Sequence, residues 1–261
     1  MLVLLSPSKN LDFKTKIATR KRSEPMFLNQ AQELIYELRQ LDASKVSKLM
    51  GISGELGELN AERYANWQPN TKNGRQAALA FRGDVYLGLG AKDFSERDLT
   101  SAQRRVRILS GLYGVLRPLD LIHPYRLEMG TGLRINGGRD LYGYWSSTVT
   151  DQLNSELDSE RNPLLVNCAS SEYFPETIQK RINYPVVNCR FLQKHGDDYR
   201  FMSYFGKRAR GLMARHLVLN RASTRKEIKA FNSEGYYFSP ERSTKGNLVF
   251  LRDVRPNPAS T

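Results

Sequence analysis

SGLYGVLRPLDLIHPYRLEMGTG, residues 110–132, is the stretch around which the rest of the chain is organised. Its glycines and prolines each free or fix the backbone at one point, so a continuous helix or a central strand is excluded. Between them lie side chains suited to binding or proton transfer: Arg117, His123, Tyr125, Arg126 and Glu128. Because loops lie mostly on the surface and carry functional residues, we expect a long functional loop rather than core packing. A structural connection with solvated arginines is the alternative.

The composition favours a single domain with a polyanionic partner. The chain has 261 residues, 40% of them hydrophobic, and no linker-like or repeated segment divides it, so we expect one domain at 1–252 and a mobile tail at 253–261. The 40 Lys and Arg residues against 27 Asp and Glu residues give a net charge of +13. Such a charge attracts nucleic acid or acidic membranes. The sequence lacks an 18-residue apolar run and a signal peptide, which favours nucleic acid and a cytoplasmic location.

The apolar patterns predict an α/β fold, with flanking helices around a central mixed sheet in one mixed α+β domain. Buried strands are predicted at residues 2–5, 77–81, 163–168 and 247–252, and an antiparallel pair at 185–191 and 199–204. Helices are predicted at residues 23–40, 96–106, 141–157 and 205–220, the first of them capped by Ser23.

Residues 42–67 predict two short helices joined at Gly51. Such a pair resembles the helix-hairpin-helix motif of DNA repair proteins, in which hairpin amides hold a phosphate without reading bases. Ser53 stands where many examples carry a second glycine, which weakens the match, while Lys45 and Lys48 add positive charge. An ordinary helical hairpin fits the same residues, so both interpretations stay open.

The predicted helix at 205–220 is the most basic element. It carries Lys207, Arg208, Arg210 and Arg215 and no acidic residue. Four cations without a balancing acid favour contact with a polyanion, and the small Gly206 and Gly211 are expected to let a phosphate backbone approach. A solvated helix face is the alternative. Residues 14–22 hold five more cations and no acid, which is typical of a solvated or polyanion-facing connector.

Small hydroxyl residues follow two of the predicted strands. Ser6 and Ser8 end the strand at 2–5, and Ser170 and Ser171 follow the strand at 163–168. Such strand ends line the binding crevice of sheets flanked by helices. Lys9 lies beside the first turn and can hold an anion there, although an ordinary surface lysine is an equal alternative. Candidate cleft residues for an anion are Lys9, Arg117, Tyr125, Arg126 and Glu128.

No metal site and no cofactor are expected from the motifs. The three histidines are far apart and outside HxxxH or HExxH spacing, and structural roles for His123 and Glu128 are favoured over a weak metal site. Cys168 and Cys189 sit in apolar strand-like runs, which favours small buried thiols over a disulfide or metal ligands. Neither GxGxxG nor GxxxxGK[ST] occurs, so a conventional nucleotide loop is not supported.

Several blocks together resemble a known family. They are LLSPSKNLD (4–12), FRGDVYLGL (81–89), LSGLYGVLRPLDLIHPYRLEMGTGL (109–133), NCASSEYF (167–174), KRARGLMAR (207–215) and FNSEGYYF (231–238). Along nearly the whole chain, up to about residue 252, the sequence resembles the bacterial YaaA peroxide-stress proteins. The resemblance implies a role in lowering iron-dependent damage during hydrogen peroxide stress, DNA binding, a single mixed α/β fold, a positive cleft and a helix-hairpin-helix-like element. It further implies that the hairpin at Gly51 converges with a cleft built from Lys9, Arg117, Arg126 and the 207–215 helix.

Three functional hypotheses follow. The leading one is a cytoplasmic stress-response protein that contacts phosphates of double-stranded or structured DNA through Lys45, Lys48, Gly51, Ser53, Lys207, Arg208, Arg210 and Arg215. The second is an enzyme acting on a small anionic or nucleotide-like substrate in the same cleft. An anion clamp with possible proton-transfer groups is offered by Lys9, Tyr125, Arg126, Glu128 and Lys207. The third is an interaction protein whose charge only aids solubility. The sequence does not indicate an oligomeric state.

Overall fold

A mixed sheet runs through the centre of the protein, and the computed structural model describes residues 1–135 and 138–254. The strands are β1 (Leu2–Leu5), β2 (Asn10–Leu11), β3 (Arg75–Gln76), β4 (Phe81–Arg82), β5 (Val106–Ser110), β6 (Gly114–Leu116), β7 (Leu121–Ile122), β8 (Leu165–Asn167), β9 (Val186–His195), β10 (Asp198–Arg200), β11 (Tyr237–Phe238) and β12 (Asn247–Arg252). Eight of them form the central sheet in the order β11-β12-β9-β8-β1-β5-β6, with β10 paired to β9. Two short antiparallel pairs, β2–β4 and β3–β7, lie apart from it.

The core of the sheet is parallel. Neighbouring strands among β5, β1, β8, β9 and β12 pair in parallel, while β6, β10 and β11 pair antiparallel to their neighbours. β1 lies between β5 and β8, with Val3 opposite Val106 on one side and Val166 on the other. All four residues of β1 are buried, as expected for a strand covered on both faces. Counting only the parallel strands in chain order, the sheet reads 2-1-3-4-5, so the chain changes direction between β1 and β8.

Ten α-helices occur in the described ranges. They are α1 (Leu28–Arg39), α2 (Ala43–Met50), α3 (Gly54–Asn66), α4 (Ala77–Ala80), α5 (Asp84–Leu89), α6 (Glu96–Arg105), α7 (Leu141–Asp158), α8 (Glu176–Gln179), α9 (Ser203–Leu219) and α10 (Arg225–Lys229). Capping residues in the sequence mark the starts of two of them. Ser95 and Asp98 form the capping box of α6, and Asp140 caps α7. None of the helices in the described part of the chain is both long and apolar enough to cross a bilayer.

Helices α5 and α9 cross at very short range because glycines face the partner backbone. A Cβ atom added to Gly211 would lie 1.8 Å from the carbonyl oxygen of Val85, and one added to Gly88 would lie 2.2 Å from that of Arg208. Gly206 is covered in turn by the ring of Phe201. The expectation that Gly206 and Gly211 open this helix to a phosphate backbone is therefore wrong, because both positions serve internal packing.

Residues 110–132 belong mainly to the core, which corrects the expectation of a long surface loop. The stretch contains β6 and β7, and most of its residues are buried. Its glycines allow close approach, since a Cβ atom on Gly111 would lie 2.3 Å from the carbonyl oxygen of Leu127. Gly114, at φ +67°, faces the ring of Trp145, whose Nε1 donates to the Gly111 carbonyl at 2.8 Å. The glycines of this stretch therefore allow close packing and do not indicate an exposed loop.

The sequence patterns predict most elements and fail at three further places. Ser23 does not cap α1, which begins at Leu28, because residues around Ser23 bridge instead to Asp120. Residues 77–81 are not a strand, because the alanines form the short helix α4. Strand β10 ends at Arg200 rather than at residue 204. The mixed α/β fold in one domain is confirmed. The tail predicted at 253–261 lies outside the described residues from 255 onward.

Both cysteines are buried, as the apolar runs around them predict. Cys168 follows β8 and Cys189 lies beside it on β9, where a hydrogen bond with Cys168 and burial raise the pKa of the Cys189 thiol. We expect the native protein to react with a thiol reagent only after unfolding, because the reagent needs an accessible thiolate. Labelling with 5,5′-dithiobis(2-nitrobenzoate) in buffer and in guanidinium chloride measures this. Rapid labelling of either thiol in buffer would contradict the buried placement.

Candidate functional site

The loops after β1 and β8 meet where the order of the parallel strands reverses. Ser6 follows β1 and Ser170 lies just beyond β8, and the Ser6 hydroxyl donates to Ser170 Oγ at 3.2 Å. The Ser170 amide donates to Ser6 Oγ at 2.9 Å, which ties the two loops together. Crevices at the carboxyl ends of parallel strands are the usual ligand sites of such sheets, because loops diverge there on opposite sides. The strand ends therefore place two hydroxyls at the expected position.

A carboxylate flanked by two cations lies in the neighbouring loops. Glu128 Oε1 accepts from Arg126 Nε at 2.9 Å and lies 3.4 Å from Lys9 Nζ. Tyr64 donates its hydroxyl to the Arg126 carbonyl and so holds the backbone of this segment. Lys9, Arg126 and Glu128, three of the five candidate cleft residues, are thus brought together. Lys9 lies three residues after Ser6, so its contact with Glu128 brings residues 126–128 to the loop that carries Ser6. We call Ser6, Ser170, Lys9, Arg126 and Glu128 together the switch-point cluster.

Three buried tyrosines lie behind the switch-point cluster. Tyr86 donates to the Ser6 carbonyl at 2.9 Å, and the Tyr125 hydroxyl shares a 2.6 Å hydrogen bond with Ser110. Burial raises the pKa of Tyr86, Tyr125 and Tyr173, and neighbouring tyrosines of the group add to the rise at Tyr86 and Tyr125. At Tyr173 the largest further cause is the adjacent Glu172 carboxylate. Glu128 adds to the rise in pKa at Tyr125 and Tyr173. These hydroxyls stay protonated at neutral pH and support the loops as neutral hydrogen-bonding groups.

Arg117 belongs to a different place from Lys9 and Arg126. Its Nη2 lies 3.0 Å from Asp120 and donates to the Glu24 carbonyl at 2.9 Å. The buried Asp120 carboxylate also accepts from Ser23 Oγ at 2.6 Å. Arg117 therefore anchors residues 23–24 to residues 117–120, and no hydrogen bond or ion pair joins it to the switch-point cluster within the described ranges.

Three of the four cations of α9 are engaged by other groups of the protein, and for Arg208 and Arg215 these groups come from distant parts of the chain. Arg208 pairs with Glu234 at 2.7 Å. Arg215 donates to the carbonyls of Leu89 and Gly90 and lies over the ring of Phe94. Arg210 lies over Phe201, and burial lowers its pKa. Lys207 is exposed and makes no ion pair with any residue of 1–135 or 138–254. Helix α9 contains no acidic residue, but the fold brings Glu234 to Arg208 from another part of the chain.

The predicted helical hairpin exists as α2 and α3. Gly51 ends α2 in the left-handed region at φ +61°, and the Ser53 side chain accepts from the Leu56 amide to cap α3. Lys45 pairs with Asp42 at 3.6 Å, while Lys48 is exposed. Exposed Glu55, Glu58 and Glu62 make the outer face of α3 acidic. Phosphate binding by this hairpin stays a prediction.

A basic groove is the feature that residue patterns alone did not locate. It has a volume of about 830 Å³ and lies between residues 19–24 and residues 71–76, with Leu121 at its side. Arg20, Arg22 and Lys72 are exposed around it, and none of them forms an ion pair or side-chain hydrogen bond with the described residues. The cations of residues 14–22 were the sequence feature that could have indicated this groove. The opposite wall, residues 71–76, is positioned by the pairing of β3 with β7, and no local sequence pattern predicts that position.

The histidines and acidic groups make mainly protein contacts. His123 Nε2 lies 2.7 Å from the Asn70 carbonyl oxygen, and His216 Nε2 lies 3.0 Å from that of Glu227. Glu128 is engaged by Lys9 and Arg126, so it does not face His123 as a metal ligand would. In the described part of the chain, no three His, Cys, Asp or Glu side chains gather as a possible metal site.

A comparison with known protein families gives a match that covers most of the chain. A family model described as peroxide stress protein YaaA matches residues 1–242 of the 261 residues. The matched range contains β1, β8, the switch-point cluster, the basic groove and helix α9. A match over this extent includes every strand of the sheet except β12, and every candidate site described above. The chain belongs to the YaaA family of peroxide stress proteins.

Proposed function

We propose that this peroxide stress protein acts in the cytoplasm by binding DNA phosphates in the basic groove, thereby limiting iron-dependent oxidative damage to DNA. The observation that carries the proposal is the presence of three exposed cations, Arg20, Arg22 and Lys72, around one open groove without protein partners in the described ranges. Cations that are not engaged within the protein remain available to neutralise phosphates and release counterions. The net charge of +13 adds long-range attraction.

The residues that line the groove favour phosphate contact over base recognition. Glu24 is the only acid among its lining residues, and Thr19, Thr71 and Gln76 add short polar side chains. Gln76 already donates to the Lys21 carbonyl at 2.8 Å, which leaves the arginines and the lysine as the main contacts. Contacts of Lys and Arg to phosphates position a protein on DNA without carrying sequence information. We therefore expect affinity for duplexes of any sequence.

The other predicted contacts contribute less to this proposal. The acidic outer face of α3 repels phosphates near the hairpin, while Lys48 and the amides beyond Gly51 attract them. On α9, Arg208 and Arg215 are engaged by Glu234 and by backbone carbonyls, which leaves Lys207 as the exposed cation. We therefore expect the hairpin and helix α9 to contribute less to DNA affinity than the basic groove does.

The test is a triple substitution, Arg20→Gln, Arg22→Gln and Lys72→Gln. Because each lost cation removes one phosphate contact, the affinity for duplex DNA is expected to fall roughly 100-fold at about 0.1 M salt. The loss should be equal for duplexes of unrelated sequence, since phosphates are common to all of them. Fluorescence anisotropy with two labelled duplexes of different sequence measures both the size and the uniformity of the loss.

A matched control separates the groove from total charge. Arg161, Arg190 and Lys245 are exposed and form no side-chain hydrogen bond or ion pair with the residues that the structure describes. Changing all three to Gln lowers the net charge from +13 to +10, as does the groove variant. The control is expected to keep nearly wild-type affinity. Equal losses in the two variants would show that charge alone attracts DNA and would reject the groove as the contact surface.

A further inference from the structure

We propose that the switch-point cluster is a binding site for a small phosphate monoester. This site is separate from the basic groove, and the inference does not rest on DNA binding. Its components come from the ends of β1 and β8 and from the segment of residues 126–128, which approach one another only in the folded protein. The residues supply hydrogen-bond donors, positive charge and partial burial, which are the three requirements for holding an oxyanion.

Several donors of the cluster have hydrogens that the protein does not use. Arg126 contacts Glu128 through Nε alone, so its two terminal nitrogens make no hydrogen bond within the described ranges. The Ser6 and Ser170 hydroxyls bond to each other, which leaves one hydroxyl hydrogen of the pair without an acceptor. Lys9 keeps the remaining hydrogens of its ammonium group. A fork-shaped guanidinium held together with an ammonium on one carboxylate oxygen suits the oxygens of a phosphate, and the loop that carries Lys9 also carries the Ser6 hydroxyl.

The charges in the cluster leave an excess of positive charge. Glu128 is one carboxylate shared by two cations, Lys9 and Arg126, and a single oxygen makes both contacts. Arg63 is partly buried nearby, and the charge of Arg126 contributes to the lowering of its pKa, after burial itself. Glu128 therefore orients the two cations without neutralising them. A bound phosphate monoester, with a charge near −2 at neutral pH, would neutralise this excess positive charge.

The burial of these groups favours a small ligand over a polymer. Arg126 and Glu128 have side chains only 17% and 14% exposed, while Lys9 is 64% exposed and lies at the rim. Donors that are partly withdrawn from water interact more strongly with an anion than donors on an open surface. A terminal phosphate reaches such groups, whereas the phosphates within a duplex lie along an extended backbone. We therefore assign a phosphate monoester rather than duplex DNA.

The experiment measures binding of adenosine monophosphate (AMP) by isothermal titration calorimetry at low ionic strength. The wild-type protein is expected to bind AMP and inorganic phosphate but not adenosine, because the phosphate makes the contacts. Arg126→Gln is expected to weaken AMP binding about tenfold, and Lys9→Gln about threefold. The exposed Lys9 keeps the test valid if Arg126→Gln lowers stability, which a thermal melt reports. Arg161→Gln, before β8 at the opposite end of the strand, is the matched control and should bind AMP normally.

Each alternative outcome overturns the assignment. Failure of AMP and phosphate to bind the wild-type protein at millimolar concentration would reject the site. Unchanged AMP affinity in Lys9→Gln and Arg126→Gln would place the ligand elsewhere. Citrate bound as tightly as AMP would show recognition of a general polyanion rather than a phosphate monoester. The groove variant should bind AMP normally and Lys9→Gln should bind DNA normally, so failure of this site is distinguishable from failure of the basic groove.

Discussion

Replacement of Asp120 by alanine is expected to lower the free energy of unfolding by about 3 kcal/mol. The side chain is fully buried, and its oxygens accept from Ser23 Oγ at 2.6 Å, from the Arg117 amide at 2.7 Å and from Arg117 Nε at 3.1 Å. Alanine leaves all these donors without their acceptor, and buried donors without acceptors are costly. Water reaches the partly exposed Arg117, which keeps the expected cost at the lower end for buried ion pairs.

Urea denaturation of Asp120→Ala beside Asp151→Ala measures this effect. Asp151 is exposed on α7, so its replacement is expected to change the free energy of unfolding by less than about 0.5 kcal/mol. Burial raises the pKa of Asp120 against the opposing pull of Ser23 and Arg117, because removing the carboxylate from water costs free energy. Equal stability of the two variants would mean that the hydrogen bonds only offset that cost. Asp120 would then not be an anchor of the groove wall.

Replacement of Gly211 by alanine is expected to destabilise the protein by about 2–3 kcal/mol through overpacking. The added Cβ atom would meet the Val85 carbonyl oxygen at 1.8 Å and the Leu89 amide nitrogen at 2.7 Å. Both are backbone atoms of α5, so the clash cannot be relieved by rotating a side chain. Alanine gains about 1 kcal/mol in helix propensity over glycine. The expected destabilisation is the cost of the clash after this gain has been subtracted.

Gly54→Ala provides the matched control for Gly211→Ala. Gly54 begins α3, and a Cβ atom there would have no atom within 4 Å. We expect it to be neutral or slightly stabilising, because alanine restricts the unfolded chain without a clash. Thermal or urea unfolding of both variants gives the comparison. A Gly211→Ala protein as stable as Gly54→Ala would contradict the close crossing of α5 and α9.

Local patterns were enough to predict much of the fold. The run Leu2–Leu5 is continuously apolar because β1 is buried on both faces, and Ser95 with Asp98 marks the start of α6 by local chemistry. Residues 110–132 were misplaced because glycine serves both turns and close packing. Gly111 and Gly114 are set against Leu127 and Trp145, which are contacts between residues distant in sequence. A pattern of neighbours along the chain does not contain that information.

The candidate sites show the same division between local and distant information. Lys9, Arg126 and Glu128 were predicted to share a cleft, and the structure brings them together. Arg208 and Arg215 looked unbalanced because their partners, Glu234 and the carbonyls of residues 89–90, lie far away in sequence. The basic groove needs the pairing of β3 with β7 to bring Lys72 opposite Arg20 and Arg22. Residue composition indicated a polyanion partner, whereas the location of the surface depends on the tertiary fold.

The salt dependence of DNA affinity is the most direct measurement of binding through the basic groove. Duplex affinity is measured between low and moderate salt for the wild-type protein, for the Arg20→Gln, Arg22→Gln, Lys72→Gln variant and for the Arg161→Gln, Arg190→Gln, Lys245→Gln control. The log-log slope is expected to fall by about 2.7 in the groove variant, at about 0.9 for each of three lost phosphate contacts, and to stay unchanged in the control. Parallel lines for the wild-type protein and the groove variant would contradict DNA binding at this surface.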